Sequence, residues 1–230
     1  MDISALTHEK LANMFDHTNL HTDASDADME KLCREAAENG FKMVAVNSGQ
    51  VARCKAYLKG TPVHVGAAVS FPLGQTCLEV KLFETGLAIL QGADEIDYVI
   101  NQTQLKNGNW DYIRQEMQQI TDLCRQNSVI SKVIFENCYL TKEEIRHLAQ
   151  IAAEVQPDFI KTSTGFGTGG ALAEDVKLMK ETAGGQVRVK AAGGIRSWKD
   201  CRAMLEAGAE RIGTSSSLKI LAEFDEDQKK

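Results

Sequence analysis

The sequence predicts an α/β protein of the TIM (β/α)₈ barrel class with an extra N-terminal helix. Three observations predict this fold. Short apolar runs recur along the chain, a turn rich in Gly, Ser or Thr follows them, and a helical pattern then leads to the next run. Strands that alternate with helices indicate a parallel sheet. Because no linker rich in Pro or Ser interrupts the pattern, we expect one barrel domain over residues 1–230.

The strands are expected in chain order after a helix near residues 4–13. The first strand is placed just before Asp16-His17-Thr18. Seven further runs are short and mostly β-branched, as buried parallel strands are; they cover residues 43–46, 63–69, 95–100, 132–136, 158–161, 187–191 and 211–213. Eight strand–helix units in 230 residues favour a compact barrel, and a doubly wound open sheet is the alternative.

Helix boundaries between these strands can also be predicted. Ser25, Thr141 and Ser197 each stand three residues before an acidic side chain, which is the pattern of a capping box or a close variant. Gly40, Gly92 and Gly208 follow helical patterns at the position where a C-terminal cap favours glycine.

Composition excludes several classes of protein. The net charge is −6, and no cluster of Lys and Arg indicates nucleic-acid binding. No apolar stretch approaches the 18 residues of a membrane span, and the N-terminus lacks the pattern of a secretory signal. The six cysteines contain no CxxC pair and the histidines form no ligand set. We therefore expect a cytoplasmic protein with reduced thiols, no metal and no cofactor.

Charged residues occur within strands that should be apolar. Lys161 ends one strand, Lys190 lies in the next, and Asp97 lies in the strand that begins at Glu95. In a barrel, polar residues at the C-terminal ends of strands are typical of catalysis. Desolvation and a second cation both lower a lysine pKa, which yields the neutral amine that attacks a carbonyl, and a carboxylate can relay protons. The alternative is a pair of lysines that reach solvent beside an ordinary salt bridge.

A second group of residues predicts an anion site. Ala192-Gly193-Gly194 ends the seventh strand, and Gly213-Thr214-Ser215-Ser216-Ser217 ends the eighth, before a short helix expected over residues 218–224. Phosphate sites of this fold lie at these two loops and the N-terminus of a short helix. Simple turn and cap chemistry is the alternative interpretation.

The loop over residues 165–170 matches GxGxxG, which also occurs in dinucleotide-binding proteins. Such proteins carry an acidic residue about 20 positions later, at a strand end. This chain has Lys190-Ala191-Ala192 there, so a dinucleotide site is only a minor alternative.

Taken together, these motifs closely resemble the deoxyribose-phosphate aldolase family, short prokaryotic type, over residues 16–216. The resemblance is carried by Asp16-His17-Thr18, the FPLG run at 71–74, GADEID at 92–97, KTSTGFGTGG at 161–170, VKAAGGIR at 189–196 and RIGTSS at 211–216. The chain departs from the family pattern at His21, Ala45, Ser48, Asn137, Ala192 and Ser217.

The resemblance implies a metal-independent class I aldolase that splits 2-deoxy-D-ribose 5-phosphate into acetaldehyde and D-glyceraldehyde 3-phosphate. It implies that Lys161 forms the Schiff base, that Lys190 lowers its pKa and that Asp97 relays protons. It implies substrate and phosphate contacts at Asp16, Thr18, Gly165, Gly193, Gly194, Ser215 and Ser216. A homo-oligomer, dimer or tetramer, is also expected. A sugar-phosphate isomerase and a phosphosugar-binding protein without catalysis are the rival functions.

Overall fold

Eight parallel strands close into one barrel in the computed structural model, which describes residues 3–229. Each strand pairs with the next along the chain, and β8 pairs with β1. The closed order confirms the predicted fold class, so the open doubly wound sheet is wrong. The strands are β1 Phe15–Thr18, β2 Met43–Asn47, β3 His64–Val69, β4 Glu95–Val99, β5 Ile130–Ile134, β6 Phe159–Lys161, β7 Arg188–Ala192 and β8 Arg211–Thr214.

Ten α-helices surround this barrel within residues 3–229. They are α1 His8–Ala12, α2 Asp26–Glu38, α3 Val51–Tyr57, α4 Leu78–Leu90, α5 Gln102–Lys106, α6 Trp110–Gln126, α7 Lys142–Val155, α8 Ala173–Ala183, α9 Trp198–Glu206 and α10 Ser217–Asp227. The extra N-terminal helix is confirmed as α1, which is shorter than expected because residues 3–5 form a separate 3₁₀ turn. None of the helices in this part of the chain has the length and hydropathy needed to cross a bilayer.

The predicted helix caps are confirmed. Ser25 and Thr141 form complete capping boxes. Ser197 accepts a hydrogen bond from the Asp200 amide, as in a capping box. The Asp200 carboxylate accepts from the Arg196 amide and the Ser197 hydroxyl, so the box is a variant. Gly40, Gly92 and Gly208 all adopt the left-handed backbone of a C-terminal cap.

Most strand ends differ from the prediction by at most one residue, and three further differences are larger. Asp16 lies inside β1 and does not follow it, because β1 is in register with β2 and β8 at that residue. β5 begins at Ile130, two residues before the predicted Lys132. The prediction missed this start because Ser131 and Lys132 interrupt the apolar pattern, although both are buried in the strand. α10 runs for 11 residues from Ser217, so it is longer than the predicted helix.

The barrel interior is charged, while the layer between strands and helices is apolar. Strand register places Lys161 level with Lys190, and Asp97 level with Lys132. Side chains of one parity on a closed sheet share one face. The register therefore aligns several ionisable side chains inside the barrel, below the loops that follow the strands.

Candidate active site

The three residues predicted to carry the chemistry meet inside the barrel. The Lys161 Nζ lies 2.8 Å from Asp97 Oδ2, and the Lys190 Nζ lies 2.6 Å from the same oxygen. All three side chains are almost completely buried. The alternative interpretation of the sequence, in which both lysines reach solvent, is therefore wrong.

Sequence reasoning missed part of this cluster. Lys132 on β5 and Arg211 on β8 are also buried in the barrel interior, and Glu95 and Asp16 contact them. Lys132 could have been noticed as a charged residue in a β-branched run. The predicted strand began at Lys132, however, so the residue was placed at the first position of the strand and not inside it. Arg211 gave the same weak signal at the first residue of its strand.

Three cations and three carboxylates in this interior alternate in a closed ring, which we call the charge ring. On one side, Lys190 Nζ lies 2.5 Å from Asp16 Oδ2 and 2.6 Å from Asp97 Oδ2. The first of these is an ion-pair contact without the geometry of a hydrogen bond, since Asp16 Oδ2 has no hydrogen-bond partner.

The other side of the charge ring runs through Lys132 and Arg211. Lys132 Nζ lies 2.5 Å from Asp97 Oδ1 and 2.7 Å from Glu95 Oε2. Arg211 then joins Glu95, at 2.7 Å from Oε1, to Asp16, at 2.7 Å from Oδ1. Lys161 is attached to this ring through Asp97 alone.

The electrostatics of the cluster make Lys161 easier to deprotonate than an ordinary lysine. Burial, reinforced by Lys190 and Lys132 and opposed by Asp97, lowers the pKa of Lys161 to about 8. Burial would raise the pKa of Asp97, but the three lysines outweigh it and hold that pKa well below its usual value. The site thus contains an amine with a lowered pKa beside a carboxylate that is ionised in the resting protein.

A cavity of about 260 Å³ opens above Lys161 at the C-terminal ends of the strands. Five of the predicted substrate and phosphate residues line it together with Lys161: Thr18, Gly165, Gly193, Gly194 and Ser215. The structure therefore brings most of the predicted binding residues to one opening.

Two predicted binding residues lie elsewhere. Asp16 is fully buried, and its carboxylate contacts Arg211 and Lys190 in the charge ring. Ser216 is the residue before α10, and its amide donates to Thr214 Oγ1 at 2.9 Å. Neither residue lines the cavity. Asp16 points into the barrel like Thr18 but lies two residues earlier on β1, deeper in the interior.

The glycines of the two loops allow close packing at the cavity mouth. Ala171 donates its amide to the Gly193 carbonyl at 3.0 Å. A Cβ on Gly170 would lie 2.2 Å from that carbonyl oxygen, so only glycine fits there. The GxGxxG pattern therefore joins the loop after β6 to the loop after β7, which gives it a structural reason unrelated to dinucleotides.

The start of α10, beside the cavity, offers hydrogen-bond donors to an anion. No side chain caps the first turn of α10, whose N-terminus follows Ser215 and Ser216. Free amides at a helix N-terminus and the helix dipole both favour a phosphate group. Of the residues that depart from the family pattern, His21 and Ala192 line this cavity.

No group of three or more His, Cys, Asp or Glu side chains within residues 3–229 is arranged to hold a metal ion. All six cysteines are free thiols.

A closed parallel barrel with buried lysines below a mouth of glycine-rich loops defines a class of barrel enzyme that acts on small molecules. Comparison with known proteins identifies the family. The sequence profile of the DeoC/LacD family aldolases matches residues 10–223. The chain belongs to that family.

Relatives and solved structures agree with this assignment. The deoxyribose-phosphate aldolase of Lactobacillus acidophilus is 60% identical over 93% of this chain and 90% of its own length. That of Bacteroides thetaiotaomicron is 47% identical over 99% and 95%. A deoxyribose-phosphate aldolase from Aeropyrum pernix, described as tetrameric, superposes with a TM-score of 0.88 at 31% identity, covering 95% of this chain and 92% of that chain.

Proposed function

We propose that this chain catalyses the reversible cleavage of 2-deoxy-D-ribose 5-phosphate to acetaldehyde and D-glyceraldehyde 3-phosphate, through a Schiff base on Lys161. The substrate is that of the family's named relatives. The observation that carries the proposal is the position of Lys161, which is the residue of the buried lysine cluster that also lines the cavity.

In the cleavage direction, neutral Lys161 attacks the C1 aldehyde of the open-chain sugar. Loss of water gives an iminium ion, which withdraws electrons from the C2–C3 bond. A base removes the proton of the C3 hydroxyl, the C2–C3 bond breaks, and glyceraldehyde 3-phosphate leaves as the aldehyde. The electron pair of the broken bond forms an enamine on Lys161.

The second half of the reaction releases acetaldehyde. The enamine takes a proton at carbon, and water then adds to the resulting iminium and frees the lysine. We assign the transfer of these protons, through water, to Asp97; its direct contact with Lys161 supports the assignment. The buried Lys190 opposes protonation of Lys161 as a second cation.

The first prediction is covalent labelling at one lysine. Acetaldehyde with borohydride should reduce the imine and leave an ethyl group on Lys161, because it combines a lowered pKa with access to the cavity. A peptide map of the labelled protein locates the group, and Lys161→Met is the matched control that should take up no label. A label on Lys190, or one spread over surface lysines, contradicts the assignment.

The same reagent separates the rival functions. Borohydride should inactivate the enzyme only when an aldehyde that forms the imine, deoxyribose 5-phosphate or acetaldehyde, is present. An isomerase that works without an imine, or a binding protein, would keep its function under the same treatment.

Two further properties are part of the proposal. We infer a homo-oligomer, supported by an exposed apolar face on α4 and by the tetrameric relative. We also infer a cytoplasmic location, supported by the six free thiols.

A further inference from the structure

We propose that Lys132 and Glu95 are positioning residues that make Lys161, within this lysine cluster, the residue that gives up its proton. The inference rests on the proposed Schiff base at Lys161 and adds residues that neither the sequence motifs nor the family resemblance assigned. Neither side chain lines the cavity, so both would act through the charge ring.

The number of carboxylate contacts distinguishes the cations. Lys132, Lys190 and Arg211 each contact two different carboxylates at 2.5–2.8 Å. Lys161 contacts one, Asp97, at 2.8 Å. Asp97 presents Oδ1 to Lys132 and shares Oδ2 between Lys161 and Lys190, so Lys132 fixes which oxygen faces the nucleophile.

The charges of the ring balance without Lys161. Its three cations, Lys132, Lys190 and Arg211, face its three anions, Asp16, Glu95 and Asp97. A protonated Lys161 would be a fourth cation in a buried site, where an uncompensated charge is costly. The neutral form of Lys161 is therefore the form that leaves the interior neutral.

The pKa directions agree with this geometry. Burial lowers the pKa of Lys132, but Asp97 and Glu95 outweigh it and hold that pKa above its ordinary value. Burial would raise the pKa of Glu95, and Lys132, His64 and Arg211 hold it well below its usual value. Both residues therefore stay charged across the working pH range.

The other ionisable groups that face the cluster do not supply the balancing charge. Glu136, after β5, makes no ion pair with Lys161 within the described part of the chain; its carboxylate binds the Thr164 amide and hydroxyl, and burial raises its pKa. His64 Nδ1 lies 2.7 Å from Glu95, and His64 Nε2 lies 3.2 Å from Lys42 Nζ. A neutral His64 that donates to Glu95 and accepts from Lys42 satisfies both contacts.

The test uses substitutions with opposite expected signs in the full-length protein. Lys132→Met leaves two ring cations against three anions, so a proton on Lys161 restores neutrality and its pKa should rise. Glu95→Gln leaves three cations against two anions, so the pKa of Lys161 should fall. The double variant restores the balance and should return the pKa close to that of the wild type.

The readout is the pH dependence of borohydride trapping of acetaldehyde on Lys161, with circular dichroism as the check of folding. The midpoint should move up by about one pH unit in Lys132→Met, which makes trapping at neutral pH about tenfold slower. It should move down in Glu95→Gln and return in the double variant. A purely structural role would slow trapping in both single variants without opposite shifts.

The outcomes of this experiment distinguish failure of the inference from failure of the proposed function. Normal labelling of Lys161 with unshifted midpoints, or with midpoints shifted in the same direction, overturns the inference and leaves the proposed function intact. Absence of label on wild-type Lys161 overturns both. If Lys132→Met does not fold, the direction of the shift in the nearly isosteric Glu95→Gln decides alone.

Discussion

At Ser215, the proposed phosphate recognition can be tested separately from the chemistry proposed for Lys161. It is exposed and lines the cavity together with Gly193 and Gly194, and it precedes the uncapped first turn of α10. The proposed phosphate site combines the uncapped backbone amides of α10 with Arg196, which also lines the cavity, so its surroundings favour an anion. A single carboxylate placed there should therefore have a large effect.

We expect Ser215→Asp to lower kcat/KM for deoxyribose 5-phosphate by at least about tenfold, since two negative charges would meet at short range. The value for unphosphorylated deoxyribose should change little. Ser215→Asn is the matched control, because it has the same shape without the charge. Steady-state kinetics on both sugars measure the effect, and an equal loss in the Asp and Asn variants would argue that the phosphate binds elsewhere.

Single residues also define the limit of sequence-based prediction. Lys161, Lys190 and Asp97 could be found because each interrupts an apolar strand next to a recognisable loop. Lys132 could not, because two polar residues at the start of β5 resemble a turn, and only the pairing of Ile130 with Glu95 shows where the strand begins. For Asp16, the motif predicted a substrate contact, whereas its carboxylate is occupied by Arg211 and Lys190.

Helix α4 carries the longest apolar face left uncovered among the described helices. Val80, Phe83, Leu87 and Leu90 are all exposed and fall on one face at helical spacing, with Phe83 at 74% and Leu90 at 83% exposure. The opposite face is anchored in the protein, since Lys81 is buried against Glu116 and the Val99 carbonyl. An apolar face on a well-anchored helix is typical of contact with a second copy of the chain.

We expect Phe83→Lys to dissociate the oligomer, because a charged side chain at the centre of an apolar interface would be buried without a partner. Leu172→Lys is the matched control, since Leu172 is also exposed but lies outside α4. Sedimentation velocity on the three proteins gives the answer. A wild-type protein that sediments as a monomer, or a Phe83→Lys variant that sediments like the wild type, would rule out this face as the interface.

At the level of elements, the alternation of strands and helices was enough to predict the number and order of the barrel strands. Helix starts were predicted well because capping uses residues three positions apart, which a sequence displays directly. Strand ends were less certain, since they depend on the neighbouring strand. The length of α10 was underestimated because its acidic C-terminal turn resembles a solvent-exposed tail.

For the whole molecule, the charge ring depends on closure of the barrel. Arg211 and Asp16 stand 195 residues apart in sequence and meet because β8 pairs with β1. Five strands contribute to the ring, and their relative register is a property of the closed sheet. A sequence can therefore indicate that buried charges exist, while their partners follow only from the complete barrel.

Burial of the charge ring has a consequence for behaviour in concentrated salt. Mobile ions cannot approach the buried side chains of the charge ring, which set the pKa of Lys161 from the side away from the cavity. We therefore expect that pKa to change little between dilute buffer and about 1 M sodium chloride. Ser215 and Gly194, at the proposed phosphate site, are exposed and accessible to those ions. As salt is added, the pH midpoint of imine trapping should stay constant while the KM for deoxyribose 5-phosphate rises. A midpoint that changes with ionic strength would mean that ions reach the charge ring. In concentrated salt, we therefore expect Lys161 to keep its reactivity while the enzyme binds its substrate less tightly.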